Sequence, residues 1–300
     1  MARLAFLIAL PLVLVLPVAA SAQRPTEVST DGGEVALSYA FARGASLPFA
    51  ATVALDMEAL DSTPRRMRVD IAMPATFEVQ SVSDAGQALV AASVRNVQVT
   101  ATTGTRQTNL GDVASLLQSF RTSLTLSADG TVIERTGFQV RGTPRREDAT
   151  IQIAFFDAIS TVWPQFPTEP VAVGDSWLQV FPDASHDPDN DLSSTLTVRY
   201  TMAGFVDVGG RRQALVDVAV TRQIDGQVTD GAGRGSRVVG RGQGEGYIIF
   251  DYQRGRLSEQ QISAGWVTTI TETNGSRSQF AVRSDVSFRA QVFDAVVTTE

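Results

Sequence analysis

Three short stretches of the chain carry residue types that could do chemistry. Gly174-Asp175-Ser176-Trp177 places a serine in the order of an esterase nucleophile block, and such a serine needs a base to take its proton, usually histidine. The only histidine, His186, lies ten residues further on in an aspartate-rich stretch, and the block sits mid-chain, whereas an esterase of this type carries it near the mature N-terminus and its histidine near the C-terminus. The motif out of its context reads as a turn that anchors Trp177. Asp187-Pro188-Asp189-Asn190-Asp191 spaces three acids as a calcium loop begins, but the sixth and twelfth places hold Leu192 and Val198 in place of glycine and a bidentate glutamate. A solvated acidic loop is the reading, with no metal. Gly231-Ala232-Gly233-Arg234-Gly235 and Gly242-Gln243-Gly244-Glu245-Gly246 neither lead from a strand into a helix nor precede a lysine, so a phosphate loop is rejected for a flexible loop and a bulged strand. Arg65-Arg66-Arg68, Arg145-Arg146 and Arg211-Arg212 read as solvated faces.

An apolar stripe is the better candidate for a site. Ile151, Phe155, Ile159 and Val162 recur at helical spacing, with Phe156 and Trp163 beside them, in a segment that Pro144 would begin and Pro164 would stop. Laid against the concave side of a curved sheet, this helix would close a lipid- or peptide-sized pocket; otherwise it fills the core. The pocket candidates are Ile151, Phe155, Phe156, Ile159, Val162 and Trp163. No catalytic residue and no cofactor is expected.

The elements that would position this helix are strands. Val53, Leu55 and Met57 alternate with polar or small neighbours, as do Val69, Ile71 and Met73, then Leu196, Val198, Tyr200 and Met202, then Val216, Val218 and Val220, then Val286, Phe288 and Val292. Period-two alternation marks antiparallel strands with one face wet. Asp84-Ala85-Gly86, Asp129-Gly130, Gly209-Gly210 and Arg254-Gly255 separate such runs as hairpin turns with positive φ would. About a dozen antiparallel strands in a curved sheet or open barrel result, a mainly β fold. Gly111 to Phe120 reads as a short helix with Val113, Leu116, Leu117 and Phe120 on one side.

The pattern also echoes itself. Gly44 and Gly174 stand 130 positions apart, Gln87-Ala88-Leu89-Val90 and Gln213-Ala214-Leu215-Val216 stand 126 apart, and Asp129-Gly130-Thr131-Val132 and Arg254-Gly255-Arg256-Leu257 stand 125 apart. Two pseudo-repeated halves joined by one central amphipathic helix account for such spacing. The expected division is a signal peptide at 1–22, a flexible segment at 23–33, a first β half at 34–143, the helix at 144–163 and a second β half at 164–300.

The leader has a positive Arg3, an apolar run from Leu4 to Val18 and the small residues Ala20-Ser21-Ala22, which predicts export and cleavage before Gln23. That run is short for a spanning helix and is broken by Pro11 and Pro17. No later run is long enough to cross a bilayer as a helix. There are no cysteines, so neither a disulfide framework nor a cysteine-linked lipid anchor is available. Every basic residue is arginine; after cleavage 24 of them face 32 acids, a formal charge of −8. Such a balance disfavours nucleic acid and anionic membrane surfaces as partners. A transmembrane barrel is disfavoured by the polar C-terminus Thr299-Glu300 and the absence of aromatic girdles.

The run Pro164-Gln165-Phe166-Pro167-Thr168-Glu169-Pro170-Val171-Ala172-Val173-Gly174-Asp175-Ser176-Trp177, with Tyr39-Ala40-Phe41-Ala42-Arg43-Gly44 and the Gly210–Val220 and Gly255 regions, resembles a broad family of uncharacterised bacterial exported proteins and lipoproteins. Their mark is a proline-rich run before a V-G-D-x-W turn. The resemblance implies export and a β-rich fold but no catalytic residues. The architecture is similar, more loosely, to unclosed-barrel carriers of bacterial lipoproteins and lipids.

The expectation is an exported, periplasmic or secreted, non-catalytic protein that binds or carries a hydrophobic or extended ligand. Its partner would be a lipid or other apolar ligand, or an envelope protein. The alternatives are an envelope interaction protein without a small-molecule site and, further off, a hydrolase using two carboxylates across one cleft.

Overall fold

A computed structural model describes residues 24–60, 65–118, 121–136, 163–187, 190–229, 235–272 and 279–292. The fold is mainly β, as the alternation predicts. Thirteen strands are present among the described residues: β1 (Ser46–Ala59), β2 (Arg65–Val82), β3 (Ala88–Val94), β4 (Gln98–Thr103), β5 (Arg106–Asn109), β6 (Arg121–Leu126), β7 (Val132–Thr136), β8 (Ser176–Asp187), β9 (Asn190–Val208), β10 (Arg211–Thr229), β11 (Gly235–Asp251), β12 (Arg256–Glu272) and β13 (Gln279–Val292). They form one antiparallel sheet in the order β7-β6-β3-β2-β1-β13-β12-β11-β10-β9-β8. Short β4 continues the β3 side of β2, and β5 pairs with β4. Among the described residues β7 and β8 each pair on one side only, so the sheet is curved but not closed.

The internal echo is written into the register. In the first half Leu47 pairs with Phe77, Val90 with Leu124, and Leu126 with Val132; in the second, Trp177 pairs with Tyr200, Val216 with Ile248, and Phe250 with Leu257. The irregularities coincide as well. The β2–β3 ladder slips between Val79 and Ser81, where β9–β10 slips past Ala203, and β6–β7 slips past Ile133, where β11–β12 slips past Ser258. Each half begins with the same turn. Gly44 and Gly174 have φ of 80° and 97°, and their amides donate to Val79 and Met202, which donate back to Ala45 and Asp175. Bulges re-aim a strand locally and have no reason to recur by chance in equivalent places. Thus β1, β2, β3, β6 and β7 correspond to β8, β9, β10, β11 and β12, with β13 between the halves.

The helix α1 (Gly111–Gln118), with β4 and β5, is inserted between β3 and β6, and among the described residues it has no counterpart in the second half. It buries Ala114 and Leu117. The expected helix over 144–163 lies outside the described residues except for Trp163, which sits in a bend.

One face of the sheet carries the main apolar core, and the other is mostly polar apart from a small cluster of Val206, Leu215, Tyr247 and Ile249. Val216, Val218, Val220 and Ile224 of β10 are buried, while Ala219, Thr221, Gln223, Asp225 and Gln227 between them are exposed. On β11 the inward places opposite Ile224, Arg222, Val220 and Val218 are held by Gly240, Gly242, Gly244 and Gly246. A Cβ at Gly242 would meet that of Trp266, and one at Gly244 would meet the Ser263 carbonyl. The absence of side chains lets β12 fold in over this face, as at a barrel corner. The second glycine cluster is therefore the inner edge of a central strand, where the sequence pattern suggested a bulged strand.

Candidate functional site

Two extended straps floor the apolar concavity where the β2–β3, β6–β7, β9–β10 and β11–β12 turns gather. The first precedes β1. Arg24 pairs with Asp217 at 3.0 Å, Val28 packs beside Val206, Leu215, Tyr247 and Ile249, and Ser29 and Phe205 exchange backbone hydrogen bonds. The segment at 24–33, expected to be flexible, is thus tied along the sheet, because β9 extends past the start of β8 and leaves an edge for Ser29 to pair with. The strap then turns inward. Val35 pairs with Val171, Tyr39 donates its amide to Ala128, and Ala40 donates to the Gly255 carbonyl.

The second strap, 163–171, precedes β8. Phe166 donates its amide to Asp129 in the β6–β7 turn, and Trp177 Nε1 on β8 donates to the Gln165 carbonyl at 2.8 Å. Gln165 Nε2 reaches Thr131 Oγ1 at 2.6 Å, and its amide meets Gln179 Oε1, which also accepts from the Tyr200 hydroxyl at 2.8 Å. This strap therefore bridges the hairpin that carries one unpaired edge to the strands that carry the other. Asp129 is held within its turn: burial would raise its pKa, but hydrogen bonds from Ser127 and Thr131 outweigh that and lower it.

The straps deliver an aromatic cluster. Tyr39 meets Trp163 at 5.2 Å and Phe250 at 5.2 Å, both edge-on, and Trp163 meets Phe77 at 5.3 Å. Burial pushes the Tyr39 hydroxyl pKa well up, with Tyr200 adding to it, so this ring is a neutral wall group. Beside the cluster is a cavity of about 180 Å³, walled by Tyr39, Phe41, Leu47, Phe49, Phe77 and Trp163, with Arg254, Gly255, Arg256 and Leu257 of the β11–β12 turn at its margin. Arg254 is anchored through its amide to Asp251 Oδ1, and the buried Asp251 carboxylate also lies 3.7 Å from Arg211 Nε. The walls can hold an apolar group.

Of the six pocket residues named from sequence, Trp163 lines this cavity; Ile151, Phe155, Phe156, Ile159 and Val162 lie outside the described residues. The remaining wall residues come from segments with no helical stripe. Their only sequence signal is apolar alternation in Tyr39-Ala40-Phe41 and Leu47-Pro48-Phe49.

The other candidates fall into place. Gly174-Asp175-Ser176-Trp177 is a turn: Asp175 Oδ2 accepts the Ala172 amide, and Ser176 Oγ shares a hydrogen bond with Thr201 Oγ1. Ser176 and His186 lie on the same strand, ten residues or about 33 Å apart at a strand's rise per residue. That is far beyond reach for a nucleophile and its base. Of the acidic run, expected as a loop, Asp187 pairs with Asn190 and His186 with Asp191 across β8 and β9, while Pro188 and Asp189 lie outside the described residues. No group of three or more metal-ligating side chains assembles among the described residues. Asp56 and Asp70 approach each other on the polar face, but Arg68 sits between them, ion-paired to both at 3.0 and 2.9 Å. One more arginine, Arg222, is buried on the apolar face; its Nε and Nη2 donate to Ser194 Oγ and its guanidinium lies 5.8 Å from the Trp266 ring.

No protein-family model and no curated protein matches the chain. Among solved structures it is similar to OccK2 (OpdF) of Pseudomonas aeruginosa, at 9% identity and a TM-score of 0.26, over 83% of this chain and 98% of that one. It is also similar to an outer membrane channel from Pseudomonas putida F1, at 10% identity and a TM-score of 0.21, over 88% and 100% of the two chains. Likeness at that level carries no functional argument. The distribution of side chains does: a transmembrane barrel turns apolar residues outward and polar ones to its lumen, whereas the described outer positions of β10 and β11 are mostly polar and the inner ones mostly apolar.

Proposed function

We infer that this is an exported, non-catalytic protein of the bacterial cell envelope, periplasmic or secreted, that binds an apolar ligand inside its curved sheet. The observation that carries the reading is the aromatic cavity between the straps and β1–β2, in a fold that is apolar inside and polar outside. Pockets of this kind bind small molecules through apolar walls and a few placed polar groups. The leader at 1–22 supports export. The test is native mass spectrometry and organic extraction of the protein purified from a bacterial periplasm. Co-purified apolar material, displaced in the variant Phe49→Trp, is the expected result. Protein that arrives empty and takes up no fluorescent apolar reporter would overturn the reading.

A second reading rests on β8, which among the described residues pairs on one side only and exposes Leu178 at 60% and Val180 at 55% on its polar side. Exposed apolar edges invite another strand, so an envelope protein partner is the alternative. Crosslinking in the periplasm through a photoreactive residue at position 178 distinguishes it.

A further inference from the structure

The cavity has a counterpart in the other half, and there the chain fills it. In the register of the two halves, Leu47 opposite Phe77 corresponds to Trp177 opposite Tyr200, and the Arg254-Gly255-Arg256 turn corresponds to Asp129-Gly130-Thr131. At the counterpart lies Gln165, with its amide on Gln179, its side chain on Thr131 and its backbone carbonyl on Trp177 Nε1 at 2.8 Å. A carbonyl oxygen thus satisfies the indole N–H of the filled site. At the cavity the indole comes from the strap instead, as Trp163, which is 6% exposed. Its Nε1 is buried and has no hydrogen-bond partner among the described residues. A buried N–H left unpaired loses its hydration without compensation, so such groups are rare in folded proteins. The rings packed on Trp163 supply no acceptor: Phe41 and Phe77 have no polar atom, and the Tyr39 hydroxyl is engaged with the Pro164 carbonyl at 3.3 Å.

We propose that the cavity takes an uncharged carbonyl compound, its apolar ring or short chain among Phe41, Leu47, Phe49 and Phe77 and its carbonyl oxygen on Trp163 Nε1. This rests on the ligand-binding reading above and names the ligand's chemistry. The volume of about 180 Å³ sets the size; an apolar cavity of about 150 Å³ is enough for benzene. A pure hydrocarbon would fill the walls but leave Nε1 unpaired. A carboxylate would lose far more hydration than one neutral donor restores. Nor do the arginines at the margin offer it a free charge, since Arg254 and Arg256 are engaged within the chain. A water molecule needs two or more polar partners, and the side chains of Phe41, Leu47, Phe49, Phe77 and Leu257 provide none. One carbonyl on an apolar body matches one donor in an apolar wall.

The test pairs acetophenone with α-methylstyrene, which has the same shape but a methylene in place of the carbonyl oxygen, and adds benzoate as the charged control. Each is titrated by NMR into the purified protein and into Trp163→Phe, which keeps an aromatic ring and removes the donor. The ratio of acetophenone to α-methylstyrene affinity should fall about two- to tenfold in the variant, the worth of one neutral hydrogen bond. On the unaltered protein, the indole N–H resonance that the variant lacks should move downfield with acetophenone and not with α-methylstyrene. That second readout decides the matter if the variant fails to fold. Benzoate should bind about tenfold more weakly than acetophenone, or less tightly still. An unchanged ratio in a folded variant, an indole resonance that responds equally to both neutral probes, or benzoate binding as tight as that of acetophenone would overturn the assignment while leaving an apolar site in place. Failure of both neutral probes to bind would overturn the ligand-binding reading together with it.

Discussion

Gly130 and Gly255 occupy the same place in two hairpins 125 residues apart, and each is closed over by main chain from a strap. Their φ values are 90° and 60°; a Cβ on Gly130 would meet the Pro164 carbonyl, and one on Gly255 would meet the Ala40 amide. The relationship fixes both straps to the turn end of the sheet, and with them the cavity.

Substituting either glycine by alanine therefore combines backbone strain with a clash against backbone that cannot rotate away. Gly130→Ala and Gly255→Ala should each cost more than about 2 kcal/mol. Gly86 has φ of 77° but open space around its Cβ, so Gly86→Ala should cost only about 1 kcal/mol, the conformational part. Urea denaturation midpoints at constant slope measure the difference; equal effects at positions 86 and 255 would contradict the docking of the strap.

Gly244 tests the curvature. It lies mid-strand on β11, where alanine ordinarily stabilises relative to glycine, but its added Cβ would meet Ser263 and Ala264 of β12. Gly244→Ala should destabilise by about 1–3 kcal/mol, the cost of overpacking. A rise in thermal midpoint would mean that the sheet is flatter at this point than described.

Asp129 should give the fold an acid-sensitive contribution. Its folded pKa lies below the ordinary value because Ser127 and Thr131 hydrogen-bond the carboxylate more strongly than burial opposes it. A depressed carboxylate stabilises the fold above its unfolded pKa, about 4, and that contribution fades as pH falls through the folded value. The thermal midpoint of Asp129→Asn should therefore lie below that of the unaltered protein at pH 7, with the gap narrowing below about pH 4. A gap that is constant from pH 7 to pH 3 would assign the loss to geometry alone.

Much of the sheet is legible in the linear chain because alternation is a local property. Leu196 to Met202 and Val216 to Val220 each state their own inward and outward faces, and Gly86, Gly130, Gly210 and Gly255 each announce a turn that needs positive φ. The duplication is visible as three short echoes for the same reason. The glycines at 240, 242, 244 and 246 mislead, since a strand face built of glycine has no apolar alternation to display; only the approach of β12 explains them.

Residue pattern by itself determined that this is a chain of antiparallel strands with one dry face, punctuated by glycine turns and repeated twice. Tertiary structure decided where the site is. The cavity joins Tyr39 and Phe41, Leu47 and Phe49, Phe77, Trp163 and the Arg254–Leu257 turn, segments separated by up to 218 residues along the chain. They meet because β13 pairs with β1 and seats the second half beside the first, and because the straps cross that junction. Strand formation depends on neighbours within a few residues, whereas a cavity depends on which distant surfaces fail to fill each other, and no local pattern encodes that.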